Sequence, residues 1–262
     1  PLAGNLFSKF KITMGHFTLD KFSLPFSISA VLVLLVFCFL FFALSASQKS
    51  NAPEINKPKP TEKESVFVYF KKLKKSFLLL LFFSFISQLS LAMFEGTFAL
   101  HSQRLFSFGP KQMSIVFILC GSVMGLLQLG PVAWLIKKKG ENALLPYGLI
   151  ILSIGMSLLM LSNKMEFILL YVSIVSVGMA ILTPCLASLV TKESGKNYGT
   201  ALGIFSSVNS LGQVLGVVIG SVMMISFVHL PYFIISILLL LTACIAVPRV
   251  RLKILHLKNL ER

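Results

Sequence analysis

Seven apolar segments of membrane-spanning length constrain the fold of this chain more than any other feature of its sequence. About 20 apolar residues in a helix cross the hydrocarbon core of a bilayer, and a segment surrounded by lipid must satisfy its backbone hydrogen bonds internally. Only 13% of the residues are charged, against about 25% in soluble domains. The sequence therefore predicts an all-α polytopic membrane protein with the lipid bilayer as its partner. The segments are 24–46, 76–98, 112–136, 143–161, 166–191, 199–223 and 231–248.

Basic residues are concentrated on one side of these segments. If residue 1 lies outside, the alternating loops place 18 of the 24 Lys and Arg residues on the cytoplasmic side and six outside. The positive-inside rule predicts this orientation, with a cytoplasmic C-terminus. Because membrane topology accounts for the net charge of +15, nucleic acid is not expected as a partner.

The residues that usually bind metals or catalyse reactions form no recognisable pattern. Each cysteine lies on a different apolar segment, and no CxxC or Cys/His spacing occurs, so neither a metal site nor a disulfide is indicated. No nucleophile–base pair is present either. We therefore expect no enzyme activity, no catalytic residue, no metal and no cofactor. The cysteines are Cys38, Cys120, Cys185 and Cys244.

A polar segment separates the first apolar segment from the other six. Residues 46–65, ASQKSNAPEINKPKPTEKES, contain three prolines and four lysines and cannot form a folded core. This pattern predicts four regions. They are the end of an N-terminal half (1–46), a cytoplasmic central linker (47–75), a six-helix C-terminal half (76–248) and a basic cytoplasmic tail (249–262).

A short pattern near the N-terminus has a counterpart near the C-terminus. PLAG (1–4) precedes LPFSI (24–28) as GVVIG (216–220) precedes LPYFI (230–234). Such repeats are typical of transporters built from two related halves, although Gly and Leu-Pro also match by chance in membrane proteins. The pattern predicts about seven complete transmembrane helices, 6 to 12, plus the tail of helix 5. The chain would then be a C-terminal fragment of a twelve-span protein, which we expect to be monomeric at full length.

Two segments resemble a known family. FEGTFALHSQRLFSFGPKQMSIVF (94–117) is similar to the seventh helix and following loop of Gram-positive quinolone and multidrug efflux pumps, in the drug:proton antiporter group of the major facilitator superfamily. YGTALGIFSSVNSLGQVLGVVIG (198–220) resembles the eleventh helix of that group. Pro1–Gly4 resembles the end of its GPxxGG antiporter motif on the fifth helix.

The resemblance implies a proton-coupled exporter of small lipophilic or cationic compounds, located in a bacterial inner (cell) membrane and working by alternating access. Its partners would be a small-molecule substrate and protons. The sequence departs from the family pattern at two positions, and these differences put coupling by two carboxylates in doubt. Trp134 stands where the loop between helices 8 and 9 usually has an aspartate, and Ala180 stands where some members have a second acid.

Glu95 is the strongest candidate for proton coupling. It is the only acidic residue well inside the apolar segments of the 76–248 block, and intramembrane acids usually handle ions or protons. A carboxyl group removed from water keeps its proton to higher pH, so it could exchange an outside proton for substrate. The alternative is structural. Glu95 lies about 30 Å along a helix from Lys75, where Arg104 or Lys111 could pair with it.

The neighbours of Glu95 predict a substrate cavity. Ser84 and Gln88 share its helical face, and a polar stripe should face away from lipid. Leu91 and Phe98 lie near the same stripe and could contact a lipophilic substrate, although ordinary packing is the slightly favoured explanation for both.

A second polar stripe lies in the segment 199–223. Ser206, Asn209 and Gln213 are spaced by three and four residues, and they could bind substrate or hydrogen-bond to another helix. Glycines spaced by four predict close helix packing. These are Gly212, Gly216 and Gly220 in this segment and Gly121 and Gly125 in 112–136.

Other residues are candidates for gating or topology. Pro184 lies inside a segment, where proline frees a backbone carbonyl and kinks a helix, so it could be a hinge. The resemblance places Pro1 and Gly4 near Gly121 and Gly125, where they would seal the outer side. Lys137–Lys139 is interpreted as a topology determinant. Solvated outer loops are expected for the histidines His16, His101 and His229.

Two alternatives remain open. The chain could belong to an exporter or symporter of another small molecule, such as a siderophore, a metabolite or a sugar. It could also be a seven-helix receptor, although the final segment carries no charge and the long linker follows a single helix.

Overall fold

The computed structural model describes residues 12–14, 17–19, 24–47, 75–161, 164–195 and 198–260. Residues 12–14, 17–19, 24–26, 43–47 and 249–260 are described by their backbone alone. The chain divides into two compact units, residues 1–72 and 73–262, which are treated separately below. The predicted end of helix 5 at Pro1 and Gly4, nearly all of the predicted linker, and His16 lie outside the described residues.

The first unit contains a short hairpin and one helix. Strand β1 (Ile12–Met14) pairs antiparallel with β2 (Phe17–Leu19), so that Ile12 is opposite Leu19. The sequence predicted only an outer loop there. Helix α1 (Leu24–Ser47) agrees with the predicted segment 24–46, and Pro25 stands in its first turn, where a missing N–H costs nothing.

The second unit is a bundle of helices, and five of the six remaining apolar segments each correspond to one of them. Six of the described helices are long and apolar enough to cross a membrane, which confirms the predicted all-α polytopic class. Within α8 the membrane-spanning part is Leu230–Pro248. The helices are α2 (Lys75–Phe106), α3 (Pro110–Leu129), α4 (Pro131–Lys139), α5 (Glu141–Leu158), α6 (Met165–Glu193), α7 (Tyr198–Ser226) and α8 (Leu230–Leu260).

The predicted segment 112–136 is wrong as a single helix. Helix α3 ends at Leu129 and α4 begins at Pro131, after Gly130 with φ −160° and ψ −53°. Proline has no N–H to continue a helix but fits the first position of a new one. Lys137–Lys139 consequently forms the last turn of α4, where the helix dipole favours positive charge.

Two helix pairs, α2 with α7 and α5 with α6, form the most extensive contacts of the bundle. Glycine allows both close approaches because a side chain would collide with the facing backbone. A Cβ atom on Gly155 would lie 2.8 Å from Val175 N, and one on Gly178 would lie 2.8 Å from Leu152 N. Helix α3 packs against α6, and α8 packs against α5.

Candidate substrate and proton site

The polar stripes of α2 and α7 face each other. The Ser84 hydroxyl donates a hydrogen bond to Asn209 Oδ1, and Gln213 Nε2 donates to Gln88 Oε1 at 3.2 Å. Each pair is separated by 125 residues, so successive turns of α2 meet successive turns of α7. The two helices therefore run in the same direction, joined by two polar contacts one turn apart.

The glycines of α7 bring the two helices close enough for these contacts. A Cβ atom on Gly212 would lie 2.8 Å from the carbonyl oxygen of Phe85, and one on Gly220 would lie 2.7 Å from Met93 Cγ. Gly216 faces the carbonyl oxygen of Leu89 even more closely. The row of three glycines thus forms the α7 side of the interface.

Glu95 lies on the same helical face as Gln88, two turns further along α2. Its side chain is exposed, and among the described residues it forms no ion pair with Arg104 or Lys111. It lies within electrostatic range of the Cys120 thiol in α3. The structure thus leaves this carboxylate exposed, on the same face of α2 as the polar contacts.

The two apolar residues near this stripe differ in their surroundings. Leu91 is half-buried. Phe98 is 1% exposed, and its ring centroid lies 5.0 Å from that of Phe94 and 6.4 Å from that of Phe117 in α3. Phe98 therefore contributes packing in this conformation, whereas Leu91 borders the polar face.

The other predicted packing and gating positions lie elsewhere. A Cβ atom on Gly121 or Gly125 would meet no heavy atom within 4 Å in the part of the chain that the structure describes, and the predicted neighbours of this pair, Pro1 and Gly4, lie outside that part. Helix α6 continues through Pro184. Pro184 lines an open groove of about 240 Å³ bordered by α3, α4 and α6.

One polar cluster was not predicted. His101 lies inside α2 and is 1% exposed, so the expectation of a solvated loop is wrong for this residue. Its Nε2 atom lies 3.2 Å from Nδ1 of the half-buried His229, and its ring centroid lies 4.8 Å from that of Tyr232. The Tyr232 hydroxyl lies 3.1 Å from Thr97 Oγ1. Thr97 and His101 are four residues apart and therefore share one helical face. This spacing was the feature of the sequence that could have predicted the cluster.

A comparison with protein families matches this architecture. The family described as "Major Facilitator Superfamily" matches residues 1–198 and, in an overlapping second match, 129–257. The chain belongs to the major facilitator superfamily. It is a multi-pass membrane protein, and the resemblance that the sequence suggested is confirmed at the level of this superfamily.

Two proteins from Bacillus subtilis (strain 168) are similar to this chain over most of its length. Multidrug resistance protein 2 is 25% identical over 239 residues, which cover 88% of this chain and 56% of that protein. Multidrug resistance protein 1 is 28% identical over 224 residues, which cover 84% of this chain and 55% of that protein. The chain thus spans about half the length of these relatives.

Proposed function

We propose that this chain is part of a proton-coupled transporter that exports small lipophilic or cationic compounds across a bacterial cell membrane. The observation that carries the proposal is the exposed Glu95 carboxylate, which has no ion-pair partner in the described bundle and stands beside two polar contacts between membrane-spanning helices. The names of the two Bacillus relatives support multidrug compounds as the substrate class. Because the chain spans about half of each relative, the activity proposed is that of the complete protein.

The polar contacts leave hydrogen-bonding capacity for a substrate. In the contact between Gln213 and Gln88, each amide uses one of its two polar atoms. Gln88 Nε2 and Gln213 Oε1 can therefore bond a ligand, while Leu91 offers an apolar surface beside them. A site with few polar groups and apolar neighbours suits lipophilic molecules of varied shape.

Glu95 would couple proton and substrate by competition. The ionised carboxylate attracts a cationic substrate, and a proton taken up from the outer side neutralises the carboxylate and releases that substrate. Rocking of two related halves would then expose the site to each side in turn, with Pro184 as a hinge in α6. In this arrangement Lys137–Lys139 and the C-terminus lie on the cytoplasmic side, as the positive-inside rule predicts.

The test is transport by the complete protein in sealed vesicles with an imposed pH gradient and a fluorescent lipophilic cation as substrate. The substitution Glu95→Gln keeps the shape of the side chain but removes its titratable proton. We expect transport driven by the pH gradient to fall to the level of protein-free vesicles. The free energy of unfolding should stay the same, because Glu95 is exposed and makes no ion pair within the described bundle.

The matched control is Glu166→Gln. Glu166 is an exposed acid in the first turn of α6, so its replacement makes the same chemical change away from the polar stripes. Transport should persist in this variant. Undiminished transport driven by the pH gradient in Glu95→Gln would refute the coupling role, and equal losses in both variants would show a general effect of charge.

A further inference from the structure

Helix α4 is anchored to the bundle by one face only. Val132 is 4% exposed and belongs to a core cluster with Leu144 of α5 and Ile181 of α6. On the other side of the short helix, Trp134 is 61% exposed. The outer face of α4 comprises Trp134, Lys137 and Lys138, and Lys139 adjoins it at the C-terminal end of the helix.

Aromatic rings position two of these three lysines. Lys138 Nζ lies 5.0 Å from the centroid of the Trp134 ring, and Lys139 Nζ lies 6.0 Å from that of Tyr147, which is 57% exposed. Both distances are those of cation–π contacts. The ammonium groups are therefore held beside exposed aromatic rings at the end of the α3 span.

The nearest carboxylate along the chain does not neutralise these lysines. Glu141 Oε1 accepts hydrogen bonds from Lys192 Nζ at 2.5 Å and from Ser188 Oγ at 2.8 Å, and its side chain is only 13% exposed. Among the side chains that the structure describes in residues 75–161, 164–195 and 198–248, no ion pair involves Lys137, Lys138 or Lys139. Three positive charges thus remain for an external anion.

We propose that the outer face of α4 binds the headgroups of anionic phospholipids. Tryptophan and tyrosine prefer the membrane–water interface, and basic clusters beside a membrane span attract anionic headgroups, by about fivefold in binding constant for each lysine. Trp134 would insert between the headgroups while the lysines contact the phosphates. The proposal rests on charge and on the position of α4 after a membrane span, and it is independent of substrate transport.

Trp134 makes the site directly observable because it is the only tryptophan of the chain. Bromine atoms on lipid chains quench tryptophan fluorescence on contact. The 262-residue chain is reconstituted in phosphatidylcholine vesicles that contain the same fraction of either brominated phosphatidylglycerol or brominated phosphatidylcholine. We expect brominated phosphatidylglycerol to quench more strongly, with a binding constant at least several-fold higher than that of phosphatidylcholine. This preference should weaken at high salt.

Lysine substitutions test which residues cause the preference for phosphatidylglycerol. A triple variant with Lys137→Gln, Lys138→Gln and Lys139→Gln should be quenched equally by the two lipids. The variant Lys111→Gln, at the far end of α3, should retain the preference. Because Lys138 contacts the Trp134 ring, its substitution can change the fluorescence intensity itself. Each variant is therefore assessed by the ratio of quenching by the two lipids and not by its intensity. If the triple variant does not fold, Lys138→Gln alone should reduce the preference by about fivefold.

Three outcomes would overturn the proposal. Equal quenching of the unmodified chain by the two lipids would show that α4 does not select anionic headgroups. A preference that survives in the lysine variants would place the selection elsewhere. Loss of the preference on addition of millimolar inorganic phosphate at constant ionic strength would assign the face to soluble anions instead of the bilayer.

Discussion

Replacement of Gly216 by alanine should separate α2 from α7. The new Cβ atom would collide with the carbonyl oxygen of Leu89 and would lie 3.1 Å from Met93 N and 3.1 Å from Ala92 Cβ. Two of these three atoms belong to the backbone of α2 and cannot rotate away. Relief of the collision therefore requires movement of a whole helix.

The magnitude follows from two opposing effects. Overpacking of a close interface typically costs about 1–3 kcal/mol, whereas alanine is favoured over glycine in a helix by up to about 1 kcal/mol. We therefore expect Gly216→Ala to lower the free energy of unfolding by about 1–2 kcal/mol. The measurement is reversible unfolding in mixed micelles by titration with sodium dodecyl sulfate, followed by circular dichroism.

Gly203 provides the matched control on the same helix. A Cβ atom there would meet no heavy atom within 4 Å of the described chain, so Gly203→Ala should be neutral or stabilise by up to about 1 kcal/mol. If Gly216→Ala were as stable as Gly203→Ala, the close approach of α2 and α7 would be refuted. A loss of stability in both variants would point instead to a general intolerance of α7 to alanine.

Two further changes test the polar contacts of the bundle. A double-mutant cycle with Gln88→Ala and Gln213→Ala should give a coupling energy of about 0.6 kcal/mol, which is typical of interhelical hydrogen bonds in membranes, and additive effects in the same unfolding assay would show that the two amides do not interact. Glu141→Gln should lower the free energy of unfolding by about 0.5–1 kcal/mol, because it weakens the contact with the exposed Lys192. That loss should shrink at high salt, and a loss unchanged by salt would contradict an ionic contribution.

The approximate bounds of the six membrane-spanning helices in the second unit could be predicted from hydropathy alone. The error at α3 and α4 arose because an apolar window ran across Gly130 and Pro131, where the missing N–H of proline ends one helix and begins another. The opposite error occurred at the end of α2, which extends to Phe106, beyond the predicted residue 98. Hydropathy falls there, but buried contacts of His101 with the neighbouring helix hold the last turns together.

The polar stripes were visible in the sequence, but their partners were not. Spacings of three and four residues identified the stripe on each helix. The pairing of Ser84 with Asn209 and of Gln88 with Gln213 depends on the axial register of two helices that are distant along the chain. The spacing of polar residues along one helix does not determine its axial register against another helix. The glycines of α7 indicated close packing but did not identify α2 as the facing helix.

The spacing of these glycines has a mechanical consequence. Gly212, Gly216 and Gly220 repeat once per helical turn, and each accepts a part of α2 that no larger residue would admit. A shift of α2 along α7 by a fraction of a turn would move backbone carbonyls of α2 against the side chains between the glycines. We therefore expect sliding only in steps of the four-residue glycine spacing, roughly 6 Å at about 1.5 Å per residue. Smaller motions should therefore carry α2 and α7 together, with their two polar contacts intact.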